Sequence, residues 1–448
     1  MSDPIISVSG LRGVVGESLT PLIALRYAQA FAQSLPPGPV LVARDGRTTG
    51  PMLAAVIHST LAAMGRQVLD AGIAATPTVG VLVQTSGASG GIQISASHNP
   101  LPYNGLKLFS REGRVIPAVP GKAVLETYRA GTMSWVSYDQ VGQIETLADT
   151  TSAHLERLLK TVDVAAIRQA QFRVLLDSNC GAGSILGRKL LAALGCDVTI
   201  LGGEPTGLFE HPAEPTAANL STVREKILAA KAQIGFCQDP DADRLAIIDE
   251  NGRYIGEEFT LALCLAHVLA KTAGPIVTNC ATSRMSQDLA TKYDTTCSLS
   301  AVGEANVVDE MLRTKAVFGG EGNGGPIDPR VVLVRDSFVG MAQILAAMAE
   351  RKLPVSHLAD ELPRYEICKT TLQFSAANLP AAFDKLENHF AGNKFNRLDG
   401  LRIDTPSGWL IVRGSNTEPI VRIIAEAPTQ AAAEAYCQDA ASVMGKIE

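Results

Sequence analysis

PVLVARDGRTTGPMLAAVIHSTLAAMGRQVLDAGIAATPTVGVLVQTSGASGGIQIS, residues 39–95, sets three short apolar runs among helical stretches. PVLVARD (39–45), RQVLDAG (66–72) and GGIQIS (90–95) have the length and β-branched content of strands, and residues 51–65 read as a helix. Strands alternating with helices predict α/β layers. Further along, the pattern restarts at FRVLLDSN (172–179), a helix near 183–194, DVTILGG (197–203), a helix near 220–230 and QIGFCQD (233–239). It restarts again after Gly256 with a long helix, PIVTN (275–279), SLSAVG (298–303), AVFGGEG (316–322) and a helix near 337–351.

From about residue 366 the texture changes to strands at LRIDT (401–405), WLIVRG (409–414) and PIVRIIAEA (419–427), followed by an Ala-rich helix. The expected fold is therefore α/β: three successive related αβ domains, 1–150, 151–255 and 256–365, and a smaller C-terminal α+β domain, 366–448. A length of 448 residues agrees, since about 100–200 residues per domain gives three or four domains.

Hydrophobic residues at 46% and charged residues at 19% are those of a chain that folds throughout. A net charge of −6 argues against a nucleic-acid or anionic-membrane partner, which would need clustered Lys and Arg. The opening MSDPIISVSGLRG has no basic segment followed by an apolar run, and no stretch reaches the ~18 apolar residues of a membrane span. A cytoplasmic protein acting on small molecules, as a monomer or homodimer, is expected. The eight cysteines stand singly, without the spacing of a zinc site or a tight disulfide, and read as reduced core thiols.

Four loops carry the chemistry. SASHNPLPYNGLK (95–107) follows the strand GGIQIS, so Ser97 falls just past a strand's carboxyl end, where α/β proteins place ligands. His98, Asn99 and Pro100 disfavour regular structure there, and Asn104-Gly105 predicts a turn that returns Lys107 to the same loop. In FCQDPDADRLAIIDENG, Asp239, Asp241 and Asp243 occupy alternate positions after an apolar run. Carboxylates so close repel one another without a cation, and oxygen ligands suit Mg²⁺ or Ca²⁺. An EF-hand would also use Glu250, but Arg244 stands where its sharp turn demands Gly. GGEGNGGPI (319–327) lets backbone approach a ligand closely, with Glu321 and Asn323 to grip sugar hydroxyls. RGSNTEP (413–419) offers Arg413, Ser415, Asn416 and Thr417 as hydrogen-bond donors suited to a phosphate.

In this order these loops resemble those of the α-D-phosphohexomutases, the phosphoglucomutases, phosphomannomutases and phosphoglucosamine mutases. SASHNP is similar to the family's phosphoserine loop, DPDADR to its metal loop, GEGNGG to its sugar-recognition loop and RGSNTEP to its phosphate-binding loop. SGLRG (9–13), ARDGR (43–47), FEHPAEP (209–215), TNCATSRM (278–285) and VGEANV (302–307) match between them. The resemblance implies four domains around a central cleft, and a phosphoryl group on Ser97. It also implies one Mg²⁺ held by Asp239, Asp241 and Asp243 with that phosphoryl oxygen, and Lys107 as general acid or base. Arg12, Arg244 and His98 join the catalytic group, and a hexose 1,6-bisphosphate is the implied intermediate and activator. Relatives commonly read GE, any residue, SGH in the third loop, and here Gly325 stands in place of the histidine. GEGNGG looks like the loop of archaeal-type phosphoglucosamine mutases, which implies glucosamine phosphate as substrate, with mannose and glucose phosphates as alternatives.

Two rival readings come from other classes. FRVLLDSNCGAGSILG, then DVTILGG and Glu204, imitates a dinucleotide-binding unit, although Gly187 comes one residue late for its third glycine. A sugar-phosphate binder without turnover would keep the same loops.

Overall fold

The computed structural model describes residues 4–7, 10–414 and 420–445. Its first sheet has seven strands, β1 (Ile5–Ser7), β2 (Gly10–Val14), β3 (Val40–Arg44), β4 (Val68–Ile73), β5 (Gly90–Ile94), β6 (Tyr103–Ser110) and β7 (Ile144–Thr146), in the order β1-β2-β6-β5-β3-β4-β7. The second comprises β8 (Arg173–Asp177), β9 (Asp197–Leu201), β10 (Ile234–Gln238) and β11 (Leu245–Asp249), in the order β11-β10-β8-β9. The third comprises β12 (Ile276–Asn279), β13 (Cys297–Ser300), β14 (Phe318–Glu321) and β15 (Gly325–Ile327), in the order β13-β12-β14-β15.

These sheets share one motif. In each, two parallel neighbours flank a central strand, β3, β8 or β12, and an antiparallel strand, β6, β11 or β15, closes a hairpin on the third. The hairpins β5–β6, β10–β11 and β14–β15 carry the Ser97, aspartate and Glu321 loops respectively. A repeated topology therefore delivers one loop per domain from the same structural position.

The fourth sheet is antiparallel throughout, with β16 (Glu366–Gln373), β17 (Lys394–Asn396), β18 (Leu401–Thr405), β19 (Gly408–Gly414) and β20 (Ile420–Ala427) in the order β16-β20-β19-β18-β17. Arg413 lies near the end of β19.

One apolar cluster runs through the first three domains, from Leu41 through Val174 and Phe236 to Ile276 and Phe338. Strand alternation feeds it: Ile234 and Phe236 face this core, while Cys237 faces a smaller cluster on the other side of the sheet. The helix Ser337–Arg351 runs through this core and is started by Asp336, whose carboxylate accepts from the Phe338 and Val339 amides. The fourth domain has its own core around Leu410 and Ile423, and meets the third through a small patch of Cys280, Trp409 and Ile411. Arg402 donates to the Cys280 carbonyl at 2.5 Å and stacks on Trp409 at 4.4 Å.

Asn104 and Gly105 depart from the expected turn, because both lie within β6. The Asn104 side chain accepts from the Gly105 amide at 2.8 Å and donates to Thr49 at 2.9 Å. A Cβ at Gly105 would meet the Leu11 carbonyl oxygen at 2.5 Å, so glycine is needed for close strand approach, not for chain reversal. The chain reverses earlier, over residues 97–102.

The dinucleotide reading also fails on steric grounds. A Cβ at Gly181 would meet Pro240 Cα at 2.7 Å, and one at Gly183 would meet Gln238 Cδ at 2.7 Å. Both glycines are filled against by protein, Gly181 by Pro240 of the aspartate loop and Gly183 by Gln238 and Ala242, so they serve packing of that loop. The EF-hand reading fails because Asp239–Asp243 join two antiparallel strands, with Glu250 beyond the far end of β11. All eight cysteines are free thiols, but Cys180, Cys196, Cys297 and Cys368 are only half-buried. Among the described residues no helix is long and apolar enough to cross a membrane.

Candidate active site

Ser97 sits at the carboxyl end of β5 with φ of 50°, in the left-handed region that non-glycine residues rarely occupy. A buried network holds it there. Its amide donates to Ser95 Oγ at 2.9 Å, and Ser95 donates to Asp45 at 2.7 Å. Arg47, 1% exposed, pairs with Asp45 at 3.2 Å. The same guanidinium donates to the carbonyls of Ser97 and Asn99 at 2.6 Å, Pro100 at 2.9 Å and Tyr103 at 3.0 Å. One planar, five-donor side chain thus shapes the whole reversal, which a lysine cannot do.

Arg47→Ala is expected to destabilise the first domain by about 3–5 kcal/mol, because it strands a buried carboxylate and four carbonyls. The measurement is thermal unfolding of the full chain. An unchanged melting temperature would contradict this.

Ser97 Oγ donates to Asp239 Oδ2 at 2.7 Å and lies 3.3 Å from His98 Nδ1. Burial, reinforced by Arg244 and Arg12, pushes the His98 imidazole down to about 2, so the ring is neutral. Arg12, on β2, donates to Asn99 Oδ1 at 3.1 Å. Asp239, Asp241 and Asp243 are fully buried, and their nearest carboxylate oxygens lie within 4.8 Å of one another. Ala242 between the last two is also left-handed, with φ of 57°, which turns its neighbours inward.

Burial, with Asp241 and Asp243 alongside, pushes the Asp239 carboxyl well above the usual range. Oδ1 of Asp241 and Oδ1 of Asp243 are buried without a hydrogen-bond partner. Hard oxygen donors with unspent lone pairs fit a divalent cation such as Mg²⁺. The opposite edges are held by protein groups: Thr76 Oγ1 donates to Asp241 at 2.6 Å, and Lys107 Nζ donates to Asp243 at 2.7 Å and to Asp241 at 3.4 Å. Burial alone would lower the Lys107 ammonium, but Asp243 and Asp241 outweigh it and hold the group above its ordinary value. Arg244 stands 3.9 Å from Asp243.

Glu321 closes the site from the third domain. Its Oε1 accepts from Asn279 at 2.8 Å and the Gly303 amide at 3.0 Å, and its Oε2 from Arg335 at 2.7 Å and Asn323 at 3.3 Å. Arg413 pairs with Asp399 at 3.1 Å, and Asp399 accepts from the Val302 amide at 3.0 Å, next to the segment that holds Glu321. Ser415, Asn416 and Thr417 lie outside the described residues. A cavity of about 610 Å³ opens between the third and fourth domains, lined by Glu257, Ser283, Gly322, Lys369 and Glu426 among others. It reaches the site at Gly322; neither Ser97 nor the three aspartates line it.

The structure therefore brings Ser97, Lys107, the three aspartates, Arg12, His98 and Arg244 together, and connects Glu321 to them through Arg335. Arg335, Glu304, Arg47, Asn279 and Thr76 belong to this constellation without having been singled out in the sequence. ARDGR, TNCATSRM and VGEANV mark three of them as stretches, but no local pattern says which side chain turns inward.

Three sheets of one topology and an antiparallel fourth, with the hairpin loops meeting in a buried acidic site, define the phosphohexomutase architecture. Family models for phosphoglucomutase/phosphomannomutase match alpha/beta/alpha domain I over residues 4–134, domain II over 152–252, domain III over 257–365 and the C-terminal domain over 370–443. A phosphoglucomutase/phosphomannomutase of Thermococcus kodakarensis is 35% identical over 96% of each chain. A probable phosphoglucosamine mutase of Pyrococcus horikoshii is 32% identical over 98% of this chain and 97% of its own. The crystal structure of a phosphoglucomutase/phosphomannomutase family protein from Burkholderia thailandensis superposes with a TM-score of 0.84 at 27% identity, over 97% of this chain and 96% of its own. The chain belongs to the phosphoglucomutase/phosphomannomutase family.

Proposed function

We propose that this chain interconverts hexose 6-phosphate and hexose 1-phosphate through phosphorylated Ser97, with glucosamine phosphate as preferred substrate. The carrying observation is the 2.7 Å approach of Ser97 Oγ to Asp239 at the edge of the three-carboxylate cluster. Phosphoserine donates to a sugar hydroxyl: the new sugar O–P bond forms, the Ser97 Oγ–P bond breaks, and the hydroxyl proton ends on Ser97 Oγ by way of Lys107. A 1,6-bisphosphate results, reverses in the cleft and returns its other phosphoryl group. Mg²⁺ held by Asp239, Asp241 and Asp243 would neutralise charge on the phosphoryl oxygens.

Lys107 and Arg244 add fixed positive charge beside that position, and Arg12 orients the loop through Asn99. Arg413 and the following loop would hold the phosphate remote from Ser97. The separate core of the fourth domain favours its opening and closing over the cleft, which would admit sugar and exclude water.

For substrate choice, the name of the Pyrococcus horikoshii relative favours glucosamine, while that of the Thermococcus kodakarensis relative favours glucose and mannose. Glu321 contributes less than a free carboxylate would, because its two oxygens already accept four hydrogen bonds. A C2 ammonium at Glu321 then gains less than the ~1.5–3 kcal/mol of an unshared charge-assisted bond. The expected outcome is a kcat/KM for glucosamine phosphate above those for mannose and glucose phosphates by up to about tenfold. A neutral hexose leading by about tenfold would overturn the preference and leave the mutase reading intact. Turnover of any of the three excludes a pure binder.

A further inference from the structure

The third loop lacks a histidine at Gly325, and the space that side chain would need is already filled. Gly325 opposes Glu321 across the β14–β15 pair, so a side chain at 325 would stand on the same face as Glu321. A Cβ built there would fall 3.0 Å from Arg335 Cβ, 2.8 Å from its Cγ, and closer still to its Cδ. The Arg335 stem cannot swing aside cheaply. Its amide donates to Glu304 at 2.8 Å, the next residue is tied to the Pro326 carbonyl at 2.8 Å, and its guanidinium is anchored at both ends. One terminal nitrogen donates to Asp243 at 2.7 Å and the other to Glu321 at 2.7 Å, with Nε 3.5 Å from Glu304. Arg335 is 7% exposed.

We propose that Arg335 replaces the loop histidine as a positioning residue, its guanidinium bridging Asp243 of the second domain to Glu321 of the third. Gly325 and Arg335 are then one substitution in two places: the glycine exists because the arginine occupies its side-chain volume. The bridge fixes the group that holds the sugar relative to the centre where phosphoryl transfer takes place. A mutase needs this twice per turnover, because the reversed bisphosphate must meet the same alignment. A permanently charged, bidentate arginine keeps the bridge at every working pH, which a histidine would not.

The inference rests on the mutase reading, and the test separates the two. The full chain is prepared as wild type, Arg335→Lys, Arg335→Met, Gly325→His and the Arg335→Met/Gly325→His pair. Each is assayed with Mg²⁺ and glucose 1,6-bisphosphate for kcat and KM, and melted in thermal unfolding. Lysine keeps the charge but offers one nitrogen where the guanidinium offers two in a fixed fork, so it cannot reproduce the bridge geometry, and Arg335→Lys should fold and lose about 30-fold or more in kcat with KM within about threefold. Gly325→His alone should melt lower than wild type. The pair should melt above either single variant and recover about tenfold or more of the kcat lost in Arg335→Met. An Arg335→Lys enzyme within about threefold of wild-type kcat, or a pair whose melting shifts simply add, overturns the proposal. A wild type that turns over no hexose phosphate refutes the mutase reading instead, and the unfolding cycle still decides whether Arg335 excludes a side chain at 325.

Discussion

Ser97→Ala is expected to abolish mutase activity while leaving the protein folded. The proposed covalent route runs through Ser97 Oγ, 2.7 Å from Asp239, so kcat should fall on the order of 10⁴- to 10⁶-fold, as when a nucleophile is deleted from a cooperating set. Little else should change, because the loop is shaped through Ser97 backbone: its amide bonds to Ser95 and its carbonyl to Arg47. Intact mass should find one phosphoryl group on the wild type and none on the variant. Wild-type rates from Ser97→Ala with added 1,6-bisphosphate would exclude Ser97 as the carrier.

Chelation should have the next largest effect. Removing the cation leaves three fully buried carboxylates within 4.8 Å, offset in part by Lys107, Arg335 and Arg244. Activity in EDTA should fall by about 10³-fold or more and return with Mg²⁺, since several kcal/mol of charge stabilisation is lost. The aspartates should then differ in the metal-free protein. Asp243 partners Lys107 and Arg335, so Asp243→Asn takes a charged partner from two buried cations at once and should cost about 3–5 kcal/mol, although Lys107 keeps Asp241 and Arg335 keeps Glu321. Asp239 receives only Ser97 and the Arg244 amide and sits above the usual carboxylate range through burial and its neighbours. Asp239→Asn should therefore be neutral or stabilising in EDTA while inactive in Mg²⁺. Thermal unfolding with and without EDTA checks both, and equal destabilisation by the two variants would contradict this account.

The one core shared by the first three domains, against a separate one in the fourth, bears on how the cleft works. Ser97, the aspartates and Glu321 sit on hairpins of the sheets that share the large core, whereas Arg413 lies on a sheet with a core of its own. In the proposed mutase, chemistry on the shared core and phosphate capture on the separately packed domain would suit a site that must open to admit a sugar and close against water.

The strand–helix alternation, the domain class and the family were all legible in the sequence, because each rests on neighbours in the chain. Periodicity of two or of 3.6 residues is a local property, and Asp239, Asp241 and Asp243 advertise a cation by their spacing alone. What depends on approach between distant segments was not legible. Gly105 reads as a turn, yet it serves strand contact. Gly181 and Gly183 read as a nucleotide loop, yet they make room for the aspartates. A glycine in a sequence says that a side chain is absent, and only the fold says whether a positive φ, another backbone or another side chain requires that absence. The same limit hid Arg47 and Arg335. Arg335 meets its carboxylate partner 92 positions away, and Ser97 meets Asp239 across 142. Buried charge is tolerated only where partners converge, and convergence is decided by how the sheets pack, a property that no single segment contains.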